Sequence, residues 1–308
     1  MSRPLPDDLA DRPFSVAEAR SVGVSPKRLR SSDLSTPFWG VRESAAREQN
    51  LVSLVAARAT RIPDRAFYSH QTAAQLWGIP LPPRLDAVLP LHISSDADHR
   101  GPSGRGTVGH HVHIAARDIK SHHGVRLTSM ERTVLDLASA LCDEDLLSAL
   151  DNILWRRRPP GERATPTSIA DAFTRFRGRR GRGRLLELIP FATNRSDSSP
   201  ETAFRWRFHQ AGFPPALPNL PVLDSRGQFV ALPDLQFEGF RMCFDYEGDH
   251  HRTDRVQWQK DIARVPRLQD IGWHHTRLSA ADLAHPDESL ARTRRLLIER
   301  GWSPHPLR

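Results

Sequence analysis

The sequence is poor in cysteine. Only Cys142 and Cys243 occur in 308 residues. Two thiols cannot make a disulfide framework, and they read as small buried apolar side chains in a reducing compartment. Long apolar runs are missing as well. No stretch approaches the roughly 18 residues of a membrane span. The opening Met1–Ala10 is acidic and proline-containing, without the apolar core of a secretory leader. A cytoplasmic protein with no membrane partner is expected. No internal repeat is found. Histidines gather at His92, His99, His110, His111, His113, His122 and His123, but their spacing matches no zinc signature and no cysteines complete a site. His111 and His113 would share one strand face and His110 the other. Scattered strand and loop histidines are the simpler reading.

Positive charge is in excess. Lys plus Arg number 44 against 36 Asp plus Glu, a net charge of +8. Such a balance favours polyanionic partners, because phosphate contacts release condensed counterions. The length suggests about two domains, each able to hold a hydrophobic core. The pattern of elements implies an α+β fold.

Residues 12–42 read as a helix-turn-helix unit. Ser15 with Glu18 is a capping-box signature, Gly23 ends the first helix, and Ser25 caps a second that opens on Pro26. Lys27, Arg28 and Arg30 would lie on that second helix, as DNA contacts do in such units, and Phe38–Arg42 reads as a strand or wing. Residues 43–155 form a mixed α/β segment. Its helices are expected at Asn50–Ala59, His70–Trp77 (stopped by Gly78) and Thr128–Ala138 (capped by Thr128 with Glu131). Its strands are expected at Val88–Ile93 and His111–Ile114. Residues 156–198 read as a basic helical linker. The run Arg175–Arg184, with Arg179, Arg180 and Arg182, is an electrostatic track for a nucleic-acid backbone or a solvated basic face.

The segment 199–300 carries the densest pattern. Ser198 or Ser199 caps a helix with Pro200 in its first turn and Glu201 beside it. Two strands, Leu220–Leu223 and Gln228–Leu232, deliver Pro233-Asp234. A third strand, Arg241–Glu247, alternates: Met242, Phe244 and Tyr246 face one way, Cys243, Asp245 and Glu247 the other. Three carboxylates, Asp234, Asp245 and Glu247, would converge at strand ends. Such crowding is costly without a cation, and all-oxygen ligands favour Mg2+ or Mn2+. His250 and His251 follow, suited to general acid or base work. The plain alternative is an exposed edge followed by a turn.

The run Asp245-Tyr246-Glu247-Gly248-Asp249-His250-His251-Arg252, with Trp258, Lys260-Asp261, Arg264, Leu268, Gly272-Trp273 and Arg277, resembles the Vsr-like group of the PD-(D/E)xK nucleases. Ser199-Pro200-Glu201 resembles the start of that fold's first helix. The resemblance covers about 85 residues. It implies a restriction-endonuclease-like core, a mixed sheet flanked by helices. It implies Asp234, Asp245 and Glu201 as metal ligands, and Glu247 and His251 as further catalytic residues. Glu247 stands at the superfamily's lysine position, so the lysine's role passes to His251, His250 or Lys260. The front of the chain, with its helix-turn-helix, the His70–Trp77 helix and Gly124–Ala138, resembles antitoxins of the AbiEi abortive-infection type. That likeness implies a DNA-binding autorepressor. Two functions are therefore expected in competition. One is a Mg2+-dependent endonuclease acting on DNA. The other is a non-cleaving DNA-binding regulator. A toxin or a repair or restriction protein is the partner expected in either case.

Overall fold

A computed structural model describes residues 4–96, 101–176, 178, 180–248 and 264–304. The chain is of mixed α+β type and divides into two compact units. The first takes Met1–Leu141 and Ala164–Glu187, the second Cys142–Arg163 and Leu188–Arg308. The division does not follow the segments read from sequence. The helix Asp143–Leu154 belongs to the second unit, and the helix Pro166–Arg175 to the first. Among the described residues no helix is long and apolar enough to cross a membrane.

In the first unit, strands β1 (Phe14–Ser15), β2 (Leu34–Ser35) and β3 (Val41–Ser44) make a small antiparallel sheet in the order β1-β3-β2. The helix Val16–Ser21 starts with the expected capping box: Ser15 Oγ accepts from Glu18 N–H, and Glu18 reaches back to the Ser15 amide. The second helix expected here does not form. Ser25 Oγ does accept from Arg28 N–H, but only one 3-10 turn follows, Arg28–Arg30. Tertiary contacts end it. The Arg28 guanidinium forks onto Asp33 at 3.0 and 2.8 Å, and Arg42 Nε donates to the Leu29 carbonyl. Leu29 is buried with Leu9, Phe14, Ala19 and Val24, which fixes the turn before the chain enters β2.

The rest of this unit is a five-stranded sheet in the order β6-β5-β4-β8-β7. Its strands are β4 (Phe67–Tyr68), β5 (Leu91–Asp96), β6 (Thr107–Val112), β7 (Ile119–His122) and β8 (Val125–Thr128). The helix Leu51–Ala59 opens on a capping box at Asn50, and His70–Trp77 stops at Gly78 in the left-handed region, φ +64°. Ser129, not Thr128, caps the helix Met130–Leu137. Thr128 ends β8, with its hydroxyl bonded to that of Thr133.

The second unit is built on strands β9 (Leu217–Pro218), β10 (Val222–Leu223), β11 (Phe229–Ala231), β12 (Leu235–Phe237), β13 (Met242–Glu247) and β14 (His274–Ser279). Four of them form a sheet ordered β14-β13-β12-β9. The pairs β9/β12 and β12/β13 are antiparallel, while β13/β14 is parallel. A parallel pair needs a crossover, and residues 264–270, before β14, are helical. Strands β10 and β11 make a separate hairpin. Strand β13 is buried on both faces. Met242 and Phe244 pack among Phe204, Phe208, Phe213 and Phe237, whereas Cys243 packs with Val222, Val230, Ala231 and Leu268. The alternation read from sequence is thus the division between two small cores.

Candidate functional site

The chain turns at Asp234 between β11 and β12, and Asp245 is the fourth residue of β13. Register places Leu235 opposite Phe244, so the two aspartates are neighbours across the strand pair. Each carboxylate takes a backbone hydrogen bond from beside the other. Asp234 Oδ2 accepts from Tyr246 N–H at 2.7 Å, and Asp245 Oδ1 from Asp234 N–H at 3.3 Å. Burial pushes the Asp234 carboxyl up to about 7, helped by the negative charges of Glu201 and Asp245.

Glu201 comes from the helix Ser199–Gln210, which Ser198 caps. Its two oxygens are both engaged, by Ser198 Oγ at 2.8 Å, Asp197 N–H at 2.9 Å and Asn219 Nδ2 at 2.6 Å. Burial raises its carboxyl against these donors. Asn219 lies in the left-handed region, φ +48°, and its N–H donates to the Asp234 carbonyl. It therefore ties the Glu201 side chain to the turn that carries Asp234. Sequence reading passed over Asn219, although asparagine tolerates a positive φ better than most residues.

Two more residues missed as site members meet Asp245. His275, on β14 beside Cys243, places Nε2 at 2.6 Å from Asp245 Oδ2, and the Arg264 guanidinium pairs with the same oxygen. His275 is only 5 % exposed at its side chain. Its position in the parallel register with β13 was the only available signal, and the strand order had to be known to use it. Glu247, at the outer end of β13, is exposed and paired with Arg277 at 2.9 Å. His250 and His251 lie outside the described residues.

Magnesium is commonly held through one or two carboxylates, with waters and substrate phosphate filling the other positions. Asp234 and Asp245 fit that role by position, although both Asp245 oxygens are engaged, by Asp234 N–H and by His275 and Arg264, as both Glu201 oxygens are by their own donors. Among the described residues no three His, Cys, Asp or Glu side chains form a group that could hold a metal ion on protein ligands alone.

The expected DNA-contacting residues fall into different settings. Lys27 and Arg30 are exposed, and Arg28 is held by Asp33. Arg182 donates to the carbonyls of Phe173 and Phe176, with its guanidinium 3.9 Å from the Phe173 ring centroid, so it braces its own unit. Arg179 lies outside the described residues. Arg180 is exposed at the wall of a cavity of about 500 Å³, with His70, His111, His113, Arg132 and Phe176. His70 stacks on His110, with centroids 3.8 Å apart and planes 14° from parallel, and His92 Nδ1 lies 2.9 Å from His110 Nε2. Burial lowers all three, His70 to about 3 and His92 to about 4.

The chain is similar to two uncharacterized proteins of Mycobacterium tuberculosis, Rv2248 of strain H37Rv and MT2308 of strain CDC 1551. It is 27% identical to each over 250 residues, 80% of this chain and 85% of each relative. No family model matches the chain. No solved structure matches it.

Proposed function

We propose that the chain is a divalent-metal-dependent DNA endonuclease of the PD-(D/E)xK type, with its acidic site in the second unit. The carrying observation is the Asp234/Asp245 pair across β12 and β13, with Glu201 close enough to raise Asp234. The order of elements supports it: a helix, antiparallel strands, a helix, and a last strand parallel to β13.

Asp234 and Asp245 would hold Mg2+ or Mn2+. When bound, that ion supplies a lowered water pKa and stabilisation of phosphoryl charge. Glu201, through Asn219, fixes the turn that presents Asp234. His275 and Arg264 orient the Asp245 carboxylate from the opposite side, and the N–H groups of Asp234 and Tyr246 hold the two acids in register. His251 is the acid/base residue in this reading.

A second reading is a non-cleaving DNA-binding regulator of the AbiEi type, acting alone or with a toxin. It is favoured by the side chains that already engage the acids, Arg264 and His275 on Asp245 and Arg277 on Glu247. One experiment separates the two. The full chain and its Asp234→Ala variant are titrated with Mn2+ by calorimetry and assayed on nicked, mismatched, single-stranded and duplex DNA. The endonuclease reading expects metal binding and cleavage in the wild type and loss of both in the variant. Tight DNA binding with no cleavage under Mg2+ or Mn2+ would leave the regulator.

A further inference from the structure

Tryptophan is a large side chain that folded proteins tend to cover. Trp39 is 84% exposed. Its display is built by the backbone around it. Phe38, just before it, is buried at 6%. Val41 N–H closes a turn onto the Phe38 carbonyl, and Gly40 takes φ +75° at the turn's third position. A left-handed third residue is what a type II turn demands, and Trp39 then stands at its corner. Gly40 N-terminal to β3 is pinned in turn, since its carbonyl accepts from Val16 N–H at 2.8 Å.

Arg61 lies over one face of the indole, 4.6 Å from the ring centroid. A Cβ on residue 40 would stand 2.0 Å from the Arg61 Nη1, so glycine there both permits the turn and leaves room for the guanidinium. None of the ion pairs among the described residues involves Arg61. One face of the indole is thus covered by a cation and the rest of the ring is open. Lys27 and Arg30 are exposed in the same small subdomain.

We propose that Trp39 and Arg61 form a stacking platform for an unpaired base of single-stranded DNA, which makes DNA with unpaired bases the preferred nucleic acid. This rests on the reading of the chain as a DNA-acting protein and names where and what it binds. An unpaired base offers the open π face that the indole can take, whereas a base inside a duplex has its faces covered by neighbours. The guanidinium on the opposite side strengthens the ring's hold by a cation–π contact and supplies positive charge to the flanking phosphates.

The test is fluorescence anisotropy of the full chain with a labelled oligothymidylate and with a blunt duplex of equal length, in EDTA. Trp39→Ala is expected to weaken oligothymidylate binding about tenfold or more, as loss of one base stack does. Trp39→Phe keeps a ring and is expected to stay within about threefold of wild type. Arg61→Ala is expected to weaken binding and flatten its salt dependence. Both positions are exposed, and circular dichroism checks that each variant is folded. Wild-type affinity in Trp39→Ala, or a duplex that binds as tightly as the single strand, overturns the platform. Cleavage assayed separately with metal keeps the two readings apart. A protein that cuts DNA but ignores Trp39→Ala loses the platform alone. One that stacks oligothymidylate through Trp39 yet never cuts loses the endonuclease alone. A protein that binds no nucleic acid overturns both.

Discussion

Asp234 is a residue whose usefulness and whose cost have one source. Its folded pKa, near 7, lies above the ordinary aspartate value of 3.8. The native state therefore keeps a proton that the unfolded chain releases. Stability from this group is complete below about pH 4 and is lost as the pH rises through about 7. Asp234→Asn removes that slope. In EDTA at pH 8 the variant is expected to be more stable than wild type, by up to about 4 kcal/mol, and nearly equal to it at pH 4. Urea unfolding at the two values measures this, and an Asn variant less stable than wild type at pH 8 would refute it. In the proposed endonuclease that gain in stability would accompany loss of metal binding, as is common where acids are held together for a task.

At the scale of elements, what the sequence made legible was local. Ser15 with Glu18 and Gly78 each act within one turn of chain and were legible from residue type and spacing, and Ser198 was one of the two caps, with Ser199, that spacing allowed. The alternation along β13 was legible for the same reason, since strand period needs no partner. What failed depended on distant residues. The second short helix was cut to one turn by Asp33 and Arg42, and His275 reached Asp245 only through a parallel register 30 residues away. Asp151 is a further case. It lies buried in the helix Asp143–Leu154 and accepts from Thr193 N–H at 2.7 Å, Thr202 Oγ1 at 2.8 Å and Arg205 at 2.7 Å. It joins that helix to Ser199–Gln210, which carries Glu201. Asp151→Ala would leave the Arg205 guanidinium without its carboxylate and is expected to cost about 3 kcal/mol in equilibrium unfolding. A change under about 1 kcal/mol would show that Asp151 is not what secures the helix pair.

At the scale of the whole molecule, the two units exchange segments along the chain. The stretch that resembles a nuclease begins at Ser199, yet the unit that contains it also uses Cys142–Arg163. A fragment starting at 199 lacks the helix Asp143–Leu154 and is expected to unfold without a cooperative transition or to aggregate. A fragment starting at 142 is expected to melt cooperatively. Thermal circular dichroism distinguishes them, and a cooperative 199–308 fragment with the full chain's Tm would show the helix to be dispensable.

The bond between Asp151 and Arg205 also sets an order of events at the ribosome. The helix ending at Leu154 is made 45 residues before the helix that begins at Ser199. At about 5–20 residues per second it leaves the exit tunnel roughly 2–9 seconds ahead of its partner. During that interval Asp151 has water as its partner and the apolar side of the helix has nothing to pack on. The first unit is likewise incomplete until Ala164–Glu187 has been made. Each unit therefore waits for a segment made after part of the other, so neither can complete its core from its first segment alone.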